Sequence, residues 1–408
     1  MTPAGSDVVV VGAGPVGLTF AALLASSPAA ERLRVRVIDA QGPVEWTEER
    51  MDIRVYALSR ASQHALERLG VWGEIRSRRA SPYRRMCVWE GDKFGASGSL
   101  EFDAAEIGEP DLGHIVEDNL IRAQVARVLL QRAGAELRFA TQLEALEDSS
   151  SGMRLKLTSG ETLSATLVVG ADGAHSRVRV LAGISAREQS YGQQAIVAHV
   201  ATAAPHRETA WQRFLPGGPL AFLPLADGRS SIVWSLPTAR AETLLAVDEP
   251  QFVAALQEAS GGVLGALELC SPRAAFPLAL LRAHEYCRAG LALVGDAAHC
   301  VHPLAGQGMN LGIADAVCLA DTLSAACLAG EHVADMRVLS RYVRARKGTN
   351  LAMQLAFDAL DRLFRLDEWA MPFRKLGLAA VEELPAAKRM LMRRALGGSY
   401  RMSGHEAP

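Results

Sequence analysis

The stretch LALVGDAAHCVHPLAGQGMNLGIAD, from Leu291 to Asp315, decides how we expect the chain to fold. It opens with the apolar run Leu291–Val294 and turns at the acidic pair Gly295–Asp296. After a loop that contains a proline, it continues as an apolar helical pattern from Asn310 onward. This order predicts a strand, a turn and a helix.

The turn Gly306-Gln307-Gly308 is expected to open that helix. The amides of Gln307, Gly308 and Met309 would lie at its N-terminus, where unpaired N–H groups and the helix dipole favour an anionic ligand oxygen. Asp296, just past the strand, cannot bind phosphate but can accept a hydrogen bond from a hydroxyl of ribitol or ribose. The alternative is an ordinary strand-to-helix turn without a ligand.

A metal site is a second alternative for this stretch. Asp296, His299 and His302 are spaced three residues apart, with Cys300 between them. Pro303 breaks the helix that would bring these side chains onto one face, and the sequence contains no second cluster of ligands. We therefore expect no metal here.

The composition indicates a soluble globular protein. The chain has 408 residues, 49% of them hydrophobic, and a formal net charge of −2. This length suffices for two domains, and the near-neutral charge argues against nucleic-acid binding. The six cysteines lack a CxxC pair, so we expect reduced thiols in a cytosolic protein. Glycines interrupt the uncharged run from Val8 to Ala25, which disfavours a membrane span or a signal peptide.

The N-terminus carries a glycine fingerprint between a strand and a helix. After the apolar strand Val8–Val11, Gly12 permits a tight turn, Gly14 lets the backbone approach a pyrophosphate, and Gly17 lets the helix pack closely on the strand. A second strand ends at Asp39, at the offset expected for an acid that binds ribose hydroxyls. Together these features predict a dinucleotide site.

Two further positions are candidates for the same site. Arg54, in the segment Asp52–Ser59, is a candidate for the pyrophosphate, and its alternative is a solvated loop arginine. The apolar strand Leu167–Ala171 runs into Asp172 and Gly173, which would place polar atoms beside the nucleotide.

From residue 185 to 284 the pattern changes to short alternating strands separated by Gly, Pro and Asp turns. This pattern predicts an inserted antiparallel sheet facing the dinucleotide domain, where a substrate would lie. Phe222 and Trp234 are candidates for substrate contact, although aromatic residues in such strands more often belong to the core.

The C-terminal region is expected to be helical, over about Ala334–Phe364, Asp367–Ala379 and Ala386–Leu396. Its last part combines leucine and methionine with basic residues, namely Arg374, Lys375, Lys388, Arg389, Arg393, Arg394 and Arg401. Such a face suits a membrane surface or a partner protein, and a solvated helix face is the alternative.

Three motifs together resemble the single-component FAD-dependent aromatic hydroxylases typified by para-hydroxybenzoate hydroxylase. They are GAGPVG at Gly12–Gly17, ADG at Ala171–Gly173 and VGDAAHCVHPLAGQGMNLGIAD at Val294–Asp315. Within that group, DIRVYALS at Asp52–Ser59 and the run His302–Asp315 resemble the ubiquinone-biosynthesis hydroxylases. Stretches such as Arg68–Trp72, Gly113–Glu117 and Ile232–Leu236 are most similar to its 2-octaprenylphenol hydroxylase (VisC-like) branch. The resemblance covers nearly the whole chain.

The resemblance implies a noncovalent FAD, reduced by NAD(P)H or another donor, which reacts with O2 to give a flavin C4a-hydroperoxide that hydroxylates a polyprenylated phenol. It places the ADP half against Gly12, Gly14, Gly17 and Asp39, with Asp172 and Gly173 nearby. It places Asp296 at the ribitol and pyrophosphate, and the amides of Gly306, Gln307 and Gly308 at the flavin ring, where they would stabilise negative charge. The enzyme would be cytoplasmic or peripheral at the inner membrane face, and its oligomeric state is left open.

The expected fold class is α/β, with a Rossmann-like FAD-binding domain, an inserted antiparallel-sheet substrate domain and a C-terminal helical region. The FAD-binding parts are residues 1–75, 105–184 and 285–330. The substrate domain comprises strands in 76–104 and residues 185–284, and the helical region is 331–408.

Three points depart from the family pattern or leave it open. Where many relatives have an arginine, this chain has Glu117-Asp118-Asn119, from which Arg122 could reach back. The acid after the second strand is Asp39 instead of the more usual glutamate. No titratable side chain stands out as a base, and backbone groups near Pro303 could orient the phenol instead.

Other flavoenzymes of the same fold, such as a prenyl reductase or a halogenase, remain alternatives. A non-enzymatic prenyl-binding protein is a further alternative.

Overall fold

The computed structural model describes residues 6–95, 98–149, 152–301, 307–365 and 371–397. Strands occur along most of the described chain. In chain order they are β1 (Ser6–Val11), β2 (Leu33–Ile38), β3 (Val55–Leu58), β4 (Ser81–Tyr83), β5 (Arg85–Glu90), β6 (Ser99–Asp103), β7 (Gly113–Glu117), β8 (Ala135–Arg138), β9 (Leu143–Ser149), β10 (Gly152–Leu157), β11 (Thr162–Ala165), β12 (Leu167–Gly170), β13 (Ala186–Thr202), β14 (Thr209–Leu215), β15 (Gly218–Pro224), β16 (Ser230–Pro237), β17 (Leu267–Leu269), β18 (Ala274–Ala283), β19 (Cys287–Arg288), β20 (Leu291–Leu293) and β21 (His299–Cys300).

Helices alternate with the strands in the first half of the chain and dominate its end. They are α1 (Pro15–Ala25), α2 (Arg60–Arg68), α3 (Trp72–Arg79), α4 (Asp118–Leu130), α5 (Arg177–Leu181), α6 (Thr238–Ala246), α7 (Glu249–Ser260), α8 (Gln307–Leu328), α9 (Met336–Arg365), α10 (Met371–Glu382) and α11 (Pro385–Ala395).

A six-stranded sheet in the order β19-β20-β12-β1-β2-β8 forms the first layer. Its neighbours pair in parallel except β19 and β20, which are antiparallel. Helices α1 and α4 pack against it, α8 packs on α1, and the three-stranded sheet β11-β10-β9 contacts β1 and β12, so the valines of β1 are buried. Because parallel strands end at a common edge, the loops after β1, β2, β12 and β20 meet there.

Helix α8 lies unusually close to α1. A Cβ added at Gly312 would lie 2.6 Å from a methyl carbon of Val16, so this close approach requires glycine. By length and composition α8 could cross a membrane, but most of it is buried within the fold against α1 and α9. It is therefore a core helix whose N-terminus is brought to the same edge as that of α1.

The largest sheet runs β6-β5-β14-β15-β16-β13-β18-β21, with β17 paired to β13. One face packs against α6 and α7, and the other faces the carboxyl edge of the parallel sheet across a cavity. The expected sheet was antiparallel, and one pair corrects this: β5 and β14 are parallel, with Thr209 opposite Arg85. Strand β5 reaches this sheet from a distant part of the chain, so no hairpin fixes its direction.

The C-terminal helices follow the predicted pattern, but two of their basic residues are not available to a surface. The guanidinium of Arg374 is buried and pairs with the carboxylate of Glu90 at 2.5 Å. The ammonium of Lys388 is also buried and pairs with Glu106 at 2.8 Å and Glu382 at 3.0 Å. Arg401 lies outside the described residues.

A buried ionic cluster joins α8 and α9 to the turn after β20. The fully buried carboxylate of Asp315 accepts hydrogen bonds from Nε2 of His299 (2.5 Å), Nε of Arg346 (2.7 Å) and Nδ2 of Asn350 (3.0 Å). Burial alone would raise the pKa of Asp315. The cations and hydrogen bonds from these partners outweigh burial and lower that pKa to about 2. Asp315, at the end of the motif, therefore anchors the fold.

We predict that Asp315→Ala lowers the free energy of unfolding by about 3–5 kcal/mol, because it leaves Arg346 buried without its carboxylate. Urea unfolding followed by circular dichroism, with FAD in excess, measures this. The control is Asp321→Ala on the same helix, where the pair with Arg68 is partly exposed and the loss should stay below about 1 kcal/mol. Equal losses in the two variants would contradict the anchoring role.

Candidate cofactor and substrate site

A cavity of about 880 Å³ separates the carboxyl edge of the parallel sheet from the large sheet. Its walls come from the loops after β1, β2, β12 and β20, from the start of α8, and from the face of the large sheet that is turned away from α6 and α7. This volume is at the upper end of that of small-molecule sites. The cavity is the candidate functional site.

The three fingerprint glycines have different reasons to be glycine. A Cβ at Gly12 would lie 2.3 Å from the carbonyl oxygen of Ala171, and one at Gly17 would lie 2.1 Å from that of Gly12. Packing of the chain itself thus excludes side chains at Gly12 and Gly17. Gly14 lines the cavity, and a Cβ there would meet nothing within 4 Å among the described atoms. Only a ligand above Gly14 would require glycine at that position.

Helix α1 presents its N-terminus to the cavity next to Gly14. Its N-cap is Gly14, and in the described structure no side chain caps it. The first-turn amides are therefore open to an anionic ligand such as a pyrophosphate.

Asp39 lies where predicted, at the end of β2 and on the cavity wall. One carboxylate oxygen accepts a hydrogen bond from the amide of Ala13 (2.6 Å) and the other from that of Gln41 (2.7 Å). The shorter aspartate thereby ties the glycine turn to the loop after β2, and its carboxylate remains beside the cavity.

Asp172 and Gly173 also line the cavity. The carboxylate of Asp172 accepts hydrogen bonds from the hydroxyl of Ser176 (2.5 Å) and the amide of Val178 (3.0 Å), which fixes the start of α5. Burial raises the pKa of Asp172, and these hydrogen bonds oppose the shift. Gly173 adopts a φ of +79°, which favours glycine in this turn.

Asp296 occupies the turn after β20. Its side chain is exposed, although it lies deep in the protein, because the surface it exposes is the cavity wall. The surrounding protein excludes bulk water and raises the pKa of the Asp296 carboxyl, and His299 and Arg54 partly counteract the shift. A carboxylate held in this setting gains from a ligand hydroxyl that donates to it.

The side chains of Arg54, Tyr56, Asp118 and Arg122 form a cluster beside Asp296 and the glycine turn. Of these four, Tyr56 had not been singled out from the sequence. The hydroxyl of Tyr56 donates to Asp118 (3.1 Å), and Nε of Arg122 donates to the carbonyl of Ala13 (3.0 Å). Burial raises the pKa of Asp118, and the nearby Arg122 and Arg54 oppose that shift. Arg122 thus does reach back to the fingerprint turn.

Arg54 lies on the cavity wall, where its guanidinium carbon is 4.9 Å from the ring centroid of Phe276 on the large sheet. This cation–π contact places a positive charge between the two sheets. Arg54 is therefore an exposed loop residue that lines the cavity.

The start of α8 reaches the cavity through Gly308 and Met309, and Gln307 is the first residue of the helix. Asn310 fixes this end, because its side-chain oxygen accepts from the amide of Ser59 (2.9 Å) and its amide donates to the carbonyl of Ala57 (2.9 Å). The predicted residues Gly306 and Pro303 lie outside the described part of the chain.

The substrate residues proposed on the large sheet require a correction. Phe222 and Trp234 do not line the cavity and belong to the core between the sheet and α6 and α7. Side chains alternate along a strand, so it is the residues next to them that face the cavity. The cavity-lining residues on this side are Met86, Ala195, Val197, Ala210, Trp211, Gln212, Pro219, Ala221, Leu223, Val233, Ser235, Phe276, Pro277 and Leu278.

Charge is unevenly distributed around the cavity. The ionisable side chains that line it are Asp39, Arg54, Asp118, Arg122, Asp172, His175, Arg177 and Asp296, together with Tyr56, Tyr83 and Cys300. None of the lining residues between 195 and 278 is charged, within the part of the chain that the structure describes. The cavity therefore offers charged and polar partners to a nucleotide on one side and an uncharged wall to an aromatic compound on the other.

Comparison with known proteins shows that the chain is similar to FAD-binding proteins. Residues 5–357 match a family model described as FAD binding domain. The chain is 37% identical over 401 residues to 3-demethoxyubiquinol 3-hydroxylase of Escherichia coli (strain K12), covering 97% of this chain and 100% of that protein. It is 38% identical over 393 residues to ubiquinone hydroxylase UbiL of Rhodospirillum rubrum, covering 96% and 90%. It is also 33% identical to human mitochondrial COQ6, a ubiquinone biosynthesis monooxygenase, with 95% and 91% covered.

Solved structures with the same fold include aromatic monooxygenases. Pseudomonas aeruginosa PqsL in complex with 2-aminobenzoylacetate has a TM-score of 0.75 and 25% identity over 92% of this chain and 100% of that one. For p-nitrophenol 4-monooxygenase PnpA from Pseudomonas putida the TM-score is 0.77, at 20% identity, over 96% and 98%. The fold and the site thus define an FAD-dependent monooxygenase. Within that class, the chain belongs to the family of ubiquinone-biosynthesis hydroxylases.

We predict that Gly14→Ala and Gly17→Ala separate cofactor binding from folding. The Gly14 methyl enters open cavity space, so the apoprotein should keep its melting temperature, but FAD binding should weaken at least about tenfold because the pyrophosphate must pass close to that backbone. The Gly17 methyl collides with a carbonyl of the chain and should lower the melting temperature of the apoprotein itself.

Thermal unfolding of FAD-stripped protein and fluorescence titration with FAD measure both effects. Undiminished FAD affinity in Gly14→Ala would mean that the fingerprint turn does not contact the nucleotide.

Proposed function

We propose that the protein hydroxylates the aromatic ring of a polyprenylated phenol in ubiquinone biosynthesis. The observation that carries this proposal is the wall of the large sheet, where none of the described cavity-lining residues is charged. The cation that contacts this wall, Arg54 over Phe276, comes from the loop before β3. A neutral ring with an apolar substituent suits this wall, because burying a carboxylate without a partner is costly. The names of the bacterial and mitochondrial relatives support the same pathway.

The residues on the opposite wall suit FAD, and we assign their roles on that basis. The open N-terminus of α1 and Gly14 would receive the pyrophosphate, and Asp39 would bind ribose hydroxyls of the ADP half. Asp296 would accept a hydrogen bond from the ribitol chain. Arg54 supplies a positive charge between the two sheets, where it would compensate negative charge on the pyrophosphate or the flavin.

When bound, FAD takes electrons from NAD(P)H and uses O2 to supply the oxygen atom, as is usual for this class of enzyme. The protein orients the ring, excludes water and stabilises negative charge. The amides at the start of α8, next to Gly308 and Met309, are placed to stabilise charge on a ligand in the cavity. The apolar side chains of the large sheet keep water from the reacting ring. The proposal requires no side-chain base.

We predict that the FAD-loaded enzyme, given NADPH and ¹⁸O2, converts 2-propylphenol to a product with one labelled oxygen atom. Turnover of 4-hydroxybenzoate should be at least about a hundredfold slower, because its carboxylate finds no cation on the sheet wall. Mass spectrometry of the products, with H2¹⁸O and unlabelled O2 as the control, makes the measurement. Faster turnover of the benzoate would contradict the proposed substrate class. A reductase or a halogenase would incorporate no labelled oxygen.

The C-terminal helices offer a surface by which the enzyme could reach a lipid substrate. A polyprenyl tail gains about 0.8 kcal/mol per buried CH2 and so remains in the membrane. On α10 and α11, Leu376 (68% exposed) and Met390 (63%) are unusually open for large apolar side chains. Arg389, Arg393 and Arg394 are exposed on α11 as well. We propose that this surface docks the cytoplasmic enzyme on the anionic inner face of the membrane.

We predict that reversing Arg389, Arg393 and Arg394 together to glutamate weakens binding to phosphatidylglycerol-containing vesicles by at least about a hundredfold, since each lost cation contributes about 1 kcal/mol at such a surface and each new carboxylate is repelled by it. Co-sedimentation at low and high salt measures this. The matched control reverses the exposed arginines Arg127, Arg132 and Arg240, which lie on α4, its C-terminal end and α6. Equal loss in both triple variants, or none in the first, would contradict a docking role for α11.

Point substitutions test this surface better than removal of the helices. Met392, on the same helix, is buried in a core cluster with Ala57, Tyr83 and Ile115, and Lys388 forms buried ion pairs. Deleting residues from Met371 onward would remove these contacts as well as the surface.

A further inference from the structure

The polar side chain of Gln212 lies on the large-sheet wall of the cavity. Gln212, on β14, lines the cavity and exposes only 7% of its surface. Its carboxamide forms no hydrogen bond with any of the described residues. A carboxamide that lines a cavity without protein partners is available to a ligand that supplies them.

The neighbours of Gln212 on the adjacent strands are apolar. The strand register places Ala221 of β15 on one side and Val88 of β5 on the other, and Val233 follows on β16. Two other side chains with polar groups line the cavity on this sheet. Ser235 is opposite Ala195 at a different level of the sheet, and Trp211 precedes Gln212 on β14. An aromatic ring lying on this wall would meet apolar groups on most of its surface and a carboxamide at one point.

Two other buried glutamines are used differently. The amide of Gln193 donates to the carbonyl of Gly217 (2.6 Å), and that of Gln354 donates to the carbonyls of Leu281 (2.9 Å) and Cys300 (3.1 Å). These side chains bind the protein's own backbone, whereas the carboxamide of Gln212 is directed to the cavity.

We propose that Gln212 is a specificity-determining residue that holds an oxygen substituent of the substrate ring. The inference rests on the proposed function in that it takes the ligand to be a phenol. The side-chain oxygen can accept a hydrogen bond from a phenolic O–H, and the side-chain amide can donate to a hydroxyl or ether oxygen. A neutral carboxamide does this without introducing a charge into the apolar wall. One fixed oxygen and an otherwise apolar contact surface would determine which ring carbon faces the cofactor.

The test compares binding of two probes that differ by one hydroxyl. Gln212→Met replaces the carboxamide with an apolar group of similar length. Titration calorimetry on FAD-loaded protein measures the affinity for 2-propylphenol and for propylbenzene. We expect Gln212→Met to weaken binding of the phenol about tenfold, the equivalent of one neutral hydrogen bond, and to leave propylbenzene binding equal or tighter.

Gln124→Met is the matched control. Gln124, on α4, has the same exposed fraction of 7% but does not line the cavity, so this variant should bind both probes like the parent. The ligand-free Gln212→Met protein should melt no lower than the parent, because it loses only an unpartnered polar group. Equal weakening for both probes, or unchanged phenol affinity, would overturn the assignment.

This outcome is separable from that of the proposed function. Binding needs no turnover, so a phenol-selective loss in Gln212→Met would support the assignment even if no labelled oxygen entered a product. Labelled product together with unchanged phenol binding in the variant would overturn the assignment alone.

Discussion

The close approach of backbone at three glycines is the constraint on which the site depends. Without side chains at Gly12 and Gly17, β1, α1 and the end of β12 come within contact distance, and Gly312 lets α8 approach α1 in the same way. The result is that two helix N-termini and the ends of several parallel strands share one edge. A single side chain at any of these positions would move one wall of the cavity.

The second determinant is that the two sheets present different kinds of surface to the cavity. The parallel sheet presents strand ends, which carry turns, acids and open amides, because that is where a parallel sheet exposes polar backbone. The large sheet presents a face, on which side chains alternate and the backbone is already paired. Among the described residues, the charged side chains that line the cavity therefore come from the edge of the parallel sheet and the segments beside it, and the face of the large sheet supplies uncharged ones. Arg54, over Phe276, lies where they meet.

Local features of the site could be predicted from sequence, and features made by distant contacts could not. The valines of β1, the roles of Gly12 and Gly17, and the position of Asp39 follow from a motif within about forty residues, and the structure agrees. The contact between Tyr56 and Asp118 joins residues 62 positions apart, so no local spacing in the sequence predicts it. Phe222 and Trp234 were misjudged because alternation shows which residues share a face, but not which face meets the cavity when both are apolar.

For the C-terminal helices, too, the sequence pattern does not show which residues are buried. These helices also contact the large sheet. The sequence does not distinguish their basic residues from one another, yet Arg374 is buried in an ion pair with Glu90 at the end of β5. On α9, Phe364 stacks on Phe214 of the large sheet with ring centroids 3.5 Å apart. The helices therefore cover the edge of the same sheet whose uncharged face lines the cavity. The exposed surface of α10 and α11 is therefore attached to the large sheet and not to the parallel sheet.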